Sequence, residues 1–133
     1  MKENKFQTQV KKQLENQGAF VINLHGHMMQ RSGLPDLFIL HMKWDGFLEL
    51  KVEENKASIL QRTVAAKIEL RGTPIYVLRC VELDEYGWGK FDKWYDKRTK
   101  YILENFQNEI IKEFYDLKEL LSHLVELNKT KGI

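Results

Sequence analysis

The sequence predicts one α/β domain: a mixed central sheet flanked by helices, with a helical extension at its C-terminal end. Three observations lead there. Apolar residues return at every fourth position in two separate stretches, Phe6, Val10, Leu14 and Leu60, Val64, Ile68, as on the buried stripe of a helix. Short apolar runs bounded by turn residues lie between those stretches and after the second, as strands do. The chain has 133 residues, the length of one domain, and its 43% hydrophobic and 30% charged residues argue against disorder.

Taken in order, Glu3 to Gln17 reads as an amphipathic helix stopped by Gly18. Ala19 to Leu24 is a short apolar run, read as a strand. His25 to Gly33 carries two glycines and no periodicity, which makes it a loop. Asp36 to His41 and Gly46 to Glu53 read as two strands around a hairpin turn, Met42-Lys43-Trp44-Asp45. The second strand alternates: Leu48, Leu50 and Val52 point one way, and Phe47, Glu49, Lys51 and Glu53 the other. Ser58-Ile59-Leu60-Gln61 fits a capping box at the start of the second helix, which Arg71-Gly72 ends. Pro74 to Cys80 is again β-rich. The order α-β-β-β-α-β assigns residues 1–80 to the core.

Residues 81–133 read as a basic, aromatic and helical extension of the same domain. Tyr86-Gly87-Trp88-Gly89 is expected to turn. Lys90 to Tyr101 mixes five cations with Phe91, Trp94, Tyr95 and Tyr101. It fits either a face that neutralises phosphates and stacks on bases, or a helix that buries its aromatics. Ile102 to Leu127 looks helical, because Ile110, Phe114, Leu117, Leu121 and Leu124 step like a heptad seam. That seam suits packing on the sheet or self-association. Asn128 to Ile133 is expected to fray.

The composition excludes some classes and leaves others open. No apolar run approaches the ~20 residues of a membrane span. No signal-peptide core follows Met1-Lys2-Glu3-Asn4-Lys5, and the single cysteine, Cys80, has no internal partner, so a cytoplasmic setting is expected. A net charge of +2 does not mark a polyanion binder, which then needs a local basic patch.

The chemistry concentrates around Pro35-Asp36 and Glu49-Leu50-Lys51. Glu49 and Lys51 leave the same face of one strand, and Asp36 opens its neighbour. If the strands pair, two carboxylates and an ammonium converge, as hard divalent cations require. Each motif alone also has a plain structural explanation. Asp36 could cap a turn, Glu49 and Lys51 could sit on a solvated face, and the capping box accounts for Gln61. Ser58 reads as a cap. His25 and His27 lie two apart, but no Cys or His partners recur, so no structural zinc is expected. Arg31 suits a phosphate contact or a solvated loop position equally well.

Gly33-Leu34-Pro35-Asp36-Leu37, Glu49-Leu50-Lys51, Ser58-Ile59-Leu60-Gln61 and Arg71-Gly72, in that order, resemble the PD-(D/E)XK nuclease superfamily, and within it the VRR-NUC type found in small phage-encoded proteins. The resemblance spans Glu3 to Cys80. It implies a restriction-endonuclease-like fold and Mg²⁺-dependent cleavage of DNA, with Mn²⁺ as a substitute. It implies that Asp36, Glu49 and the Leu50 carbonyl ligate the metal, with Glu3 as a further acid. Lys51 would orient the attacking water, and Gln61 would stand beside the site. Arg31, Lys90, Lys93, Lys97 and Arg98 are the expected DNA contacts. Similarity to Holliday-junction resolvases implies a branched DNA substrate, a homodimer, and a bacterial or phage origin. A restriction-like or RNA-cleaving nuclease, and a non-catalytic nucleic-acid-binding or phage regulatory protein, are the competing readings.

Overall fold

The computed structural model describes residues 1–25, 32–88 and 93–129. Helix α1 (Glu3–Asn16) carries Phe6, Val10 and Leu14 on one face, and all three are buried. Strands β1 (Phe20–Asn23), β2 (Leu37–Leu40) and β3 (Asp45–Val52) follow, then helix α2 (Ile59–Leu70). Strands β4 (Ile75–Trp88), β5 (Lys93–Glu104) and β6 (Ile110–Phe114) complete the sheet. One turn of 3-10 helix (Leu117–Glu119) leads into α3 (Leu120–Lys129). Among the described residues no helix is long and apolar enough to cross a membrane.

The six strands lie side by side in chain order. All neighbours are antiparallel except β3 and β4, which are parallel. A parallel pair cannot be closed by a hairpin, so the chain must cross over between them, and α2 is that crossover.

Strand alternation divides the core into two layers. Leu48, Leu50, Tyr76, Leu78 and Cys80 meet α1 and α3 on one face, through Phe6, Leu14, Leu120 and Leu124. Ile75 and Val77 meet Ala65 of α2 and Phe106 on the other. The protein is therefore a mixed α/β fold, a six-stranded mixed sheet with helices on both faces. Each fully buried leucine or phenylalanine contributes about 1.5–3 kcal/mol.

The first 80 residues follow the expected element order, but the C-terminal part does not. The expected helix over Ile102–Leu127 is replaced by the end of β5, by β6, by the 3-10 turn and only then by α3. The Lys90–Tyr101 stretch is not a helix from Lys93 onward; it belongs to β5. Tyr86, Gly87 and Trp88 do not turn but end β4, while Gly89 lies outside the described residues. β4 and β5 form one long ladder from Val77↔Glu104 to Trp88↔Lys93. That pairing satisfies the backbone of a segment rich in aromatic and β-branched residues better than a helix would. The heptad-like seam breaks accordingly: Ile110 is exposed on β6, while Leu121 and Leu124 are buried on α3. Asn128 and Lys129 extend α3 rather than fraying, and residues 130–133 lie outside the described ones.

The turn before β3 also differs from a solvated hairpin loop. Trp44 is buried, and its ring lies on the backbone of Gly46. A Cβ there would stand 2.6 Å from the ring and 2.7 Å from the Pro74 carbonyl oxygen, so only glycine fits. After β3, the chain is fastened by Arg79. Its Nε and Nη2 donate to the Glu104 carboxylate at 2.7 and 3.1 Å, and its Nη1 donates to the carbonyls of Glu53 and Asn55. This buried pair fixes the segment that enters α2.

Candidate metal centre

The β2–β3 hairpin brings the acids together. Leu37 pairs with Leu48, so one step further along the ladder Asp36 stands opposite Glu49. Leucines 48 and 50 face α1 and α3, which leaves Glu49 and Lys51 on the α2 side. This face is covered rather than solvated: Glu49 is only 1% exposed. The Asp36 carboxylate uses both oxygens. Its Oδ2 accepts the backbone N–H of Leu50 at 2.7 Å, and its Oδ1 lies 3.0 Å from His25 Nε2. Leu50 thus meets Asp36 through its N–H.

Glu49 is served on one side only. Its Oε2 lies 3.1 Å from Lys51 Nζ and accepts from Gln61 Nε2 at 2.8 Å. Its Oε1 is buried without a hydrogen-bond partner. Burial, then the charge of Asp36 and a hydrogen bond shared with it, push the Glu49 carboxyl up to about 8, against the opposing pull of Lys51. A buried carboxylate oxygen left bare costs free energy until a proton or a cation meets it.

Ligand atoms of His25, Asp36 and Glu49 all lie within 4.8 Å of one another. A divalent cation fits this set. Two carboxylates offer hard oxygen donors, the bare Oε1 lacks a partner, and a cation relieves the repulsion between the two acids. Asp36 and Glu49 are the side chains that would hold it. Glu3 does not join that set, but it is within its field. Its carboxyl is raised by burial and then by the charge of Asp36, with Lys51 and His25 acting the other way.

Gln61 combines two duties that the sequence presented as alternatives. Its Oε1 accepts the N–H of Ser58 at 2.9 Å, while the Ser58 hydroxyl accepts the N–H of Gln61 at 3.1 Å. The capping box is therefore complete, and Ser58 is a cap. An amide with its oxygen committed to a backbone donor must turn its NH₂ the other way, and that group reaches Glu49. The same helix sets the loop before Asp36. Gly33 has φ +86°, and a Cβ there would stand 2.7 Å from Leu60 Cγ. Its backbone passes directly under α2, a place and a conformation that favour glycine.

Of the expected nucleic-acid contacts, Lys97 and Arg98 have described side chains. Arg31 and Lys90 lie outside the described residues, and Lys93 is described only as the start of β5. Lys97 Nζ is 3.2 Å from Glu82, and the Arg98 guanidinium sits 4.6 Å above the Tyr115 ring. His25, for which the sequence offers no Cys or His partner, stands instead with the two acids. The signal was available in the register: Phe20↔Leu40 to Asn23↔Leu37 leads on to Leu24, whose N–H donates to the Asp36 carbonyl at 2.9 Å. His25 comes next. A groove of about 520 Å³ runs beside it, lined by Asn4, Gln7, Lys11, Lys12 and Asn23 among others.

No protein-family model matches the chain, and no curated protein matches it.

Proposed function

We propose that the protein is a metal-dependent phosphodiesterase that hydrolyses DNA, an endonuclease on a restriction-endonuclease-like fold of the PD-(D/E)XK, VRR-NUC type. The observation that carries this reading is the bare, buried Oε1 of Glu49 beside Asp36, with Lys51 and Gln61 on the other oxygen. Binding a neutral ligand gives no reason to bury an acid in this way. The ordered motifs add to the reading through their resemblance to that superfamily.

A bound Mg²⁺, or Mn²⁺ in its place, supplies Lewis acidity toward a phosphate oxygen and a water. The rest falls to the chain. Asp36 and Glu49 bring negative charge that retains the cation against solvent. The Leu50 N–H fixes one oxygen of Asp36. Lys51 carries a positive charge at the rim, 12% exposed, where it can orient a water and balance charge on the scissile phosphate. Gln61 holds the Glu49 carboxylate in one orientation. Lys11 and Lys12, in the groove that His25 also lines, suit the neutralisation of a phosphate backbone.

The preference for branched DNA and the homodimer follow from the resemblance to junction resolvases, and a monomer in sedimentation at micromolar concentration would argue against junction resolution. The test is cleavage of labelled linear duplex, single strand, flap and four-way junction with Mg²⁺, Mn²⁺ or EDTA. The expected result is metal-dependent cutting that Asp36→Ala, Glu49→Ala and Lys51→Ala lose while staying folded. Binding without any cutting would transfer the protein to the non-catalytic class.

A further inference from the structure

The donor set implied by resemblance consists of oxygens: Asp36, Glu49, the Leu50 carbonyl and Glu3. The structure adds a nitrogen. His25 Nε2 is 3.0 Å from Asp36 Oδ1, and it belongs with Asp36 and Glu49 to the one group whose ligand atoms are mutually within 4.8 Å among the described residues. A hydrogen bond accounts for the first distance, but so does a shared ion. Adjacent ligands at right angles around a cation with bonds of about 2.1 Å also stand roughly 3 Å apart.

His25 is set in place by its own backbone. Its N–H donates to Asn23 Oδ1 at 2.8 Å, and the preceding Leu24 is fixed to the Asp36 carbonyl. The imidazole is thus delivered to the acids by the end of the β1–β2 ladder. Its side chain is 40% exposed, so an ion arriving from solvent meets it before the buried acids. The Oε1 of Glu49, on the buried side, has no donor and needs a proton or a cation to complete the group.

We propose that His25 is a third, nitrogen ligand of the metal centre, and that it biases the centre toward a first-row transition ion over Mg²⁺. This inference rests on the metal-site reading above and specifies the ion. Mg²⁺ favours oxygen donors and gives up its waters reluctantly. Imidazole binds transition ions well, with Mn²⁺ the weakest of the series. A preference visible even with Mn²⁺ therefore holds for the class.

The experiment uses the full chain, freed of metal with a chelator. Mn²⁺ and Mg²⁺ affinities are measured by calorimetry for the natural protein, His25→Ala and His25→Gln, and pulsed electron paramagnetic resonance of the Mn²⁺ form reads whether nitrogen is bonded to the ion. The natural protein is expected to show nitrogen modulation and to bind Mn²⁺ more tightly than Mg²⁺. Both variants should lose the modulation and at least about tenfold in Mn²⁺ affinity, a loss that even outer partners of a ligand can cause. Mg²⁺ affinity should change far less. Mn²⁺ bound without nitrogen modulation, or modulation that survives in both variants, would overturn the role of His25 and leave the carboxylate site standing. Failure of the natural protein to bind either ion would overturn the metal-site reading itself.

Discussion

Replacing Glu49 by glutamine tests the electrostatics of the site without any substrate. The acid is held at about 8 in the folded protein against 4.5 for the free side chain. Between those values the native state keeps a proton that the unfolded chain has released, so stability falls as pH rises. The cost is absent below about pH 4.5, grows through the window, and is complete above about pH 8. At about 1.4 kcal/mol per pH unit, the whole window amounts to about 5 kcal/mol. Glutamine has the same shape, can accept from Lys51 and Gln61 through its oxygen, and has no charge to bury. Urea denaturation of both metal-free proteins at pH 5 to 9 gives a difference curve from which the other titrating groups largely cancel. That difference should be near zero at pH 5 and reach several kcal/mol in favour of Glu49→Gln by pH 9. Saturating Mg²⁺ should flatten the natural protein's profile and leave the variant unchanged, because an ion that binds only the folded state adds to its stability. Parallel profiles for the two metal-free proteins would refute the argument that Glu49 is a buried acid waiting for a cation.

Other expectations follow from the same contacts. Gly33→Ala combines a positive φ with a Cβ only 2.7 Å from Leu60, and should cost about 1–3 kcal/mol by urea denaturation; an unchanged midpoint would contradict the close passage under α2. Arg79→Met leaves the Glu104 carboxylate buried alone and releases the Glu53 and Asn55 carbonyls, with an expected loss of about 3–5 kcal/mol. The double change Arg79→Met with Glu104→Met should recover much of that loss, and a double variant no more stable than the single would show that the two residues are not coupled. Burial pushes the Cys80 thiol up to about 11, so a disulfide reagent at pH 8 should leave it intact in the native protein and label it fully in urea. Rapid native labelling would place the thiol outside the core.

The N-terminal half was legible because each element there has one periodicity and clear punctuation. Phe6, Val10 and Leu14 are separated by polar residues at the positions a strand would bury and are stopped by Gly18, and the alternation of β3 sorts Leu48 and Leu50 from Glu49 and Lys51. The acids of the site were legible for the same reason, since a hairpin register is fixed by its alternation. The C-terminal part misled because a step of four is close to one helical turn and is also two strand repeats. Ile110 and Phe114 satisfy both, and tertiary pairing with β5 decided for the strand. His25 was weighed for a zinc site and set aside because no Cys or His partner recurs in the sequence; its neighbours in the structure are carboxylates, and only the pairing of β1 with β2 brings it to Asp36. The double use of Gln61 was hidden for another reason. A sequence shows that a side chain can cap a helix, but not where its remaining donor points.

The sheet's strictly sequential order has a consequence for how this protein can change. Apart from Glu3, every described side chain gathered around the acids falls between His25 and Gln61, on one hairpin, the loop before it and the first turn of one helix. The chain beyond β4 supports this group through Glu104 on Arg79 and Phe106 against α2, and among the described residues contributes none of its side chains. The candidate metal group is therefore a short contiguous cassette of the chain. Substitutions in β5, β6 and α3 reach that cassette only through the shared core and through Glu104 on Arg79, not by removing one of its side chains.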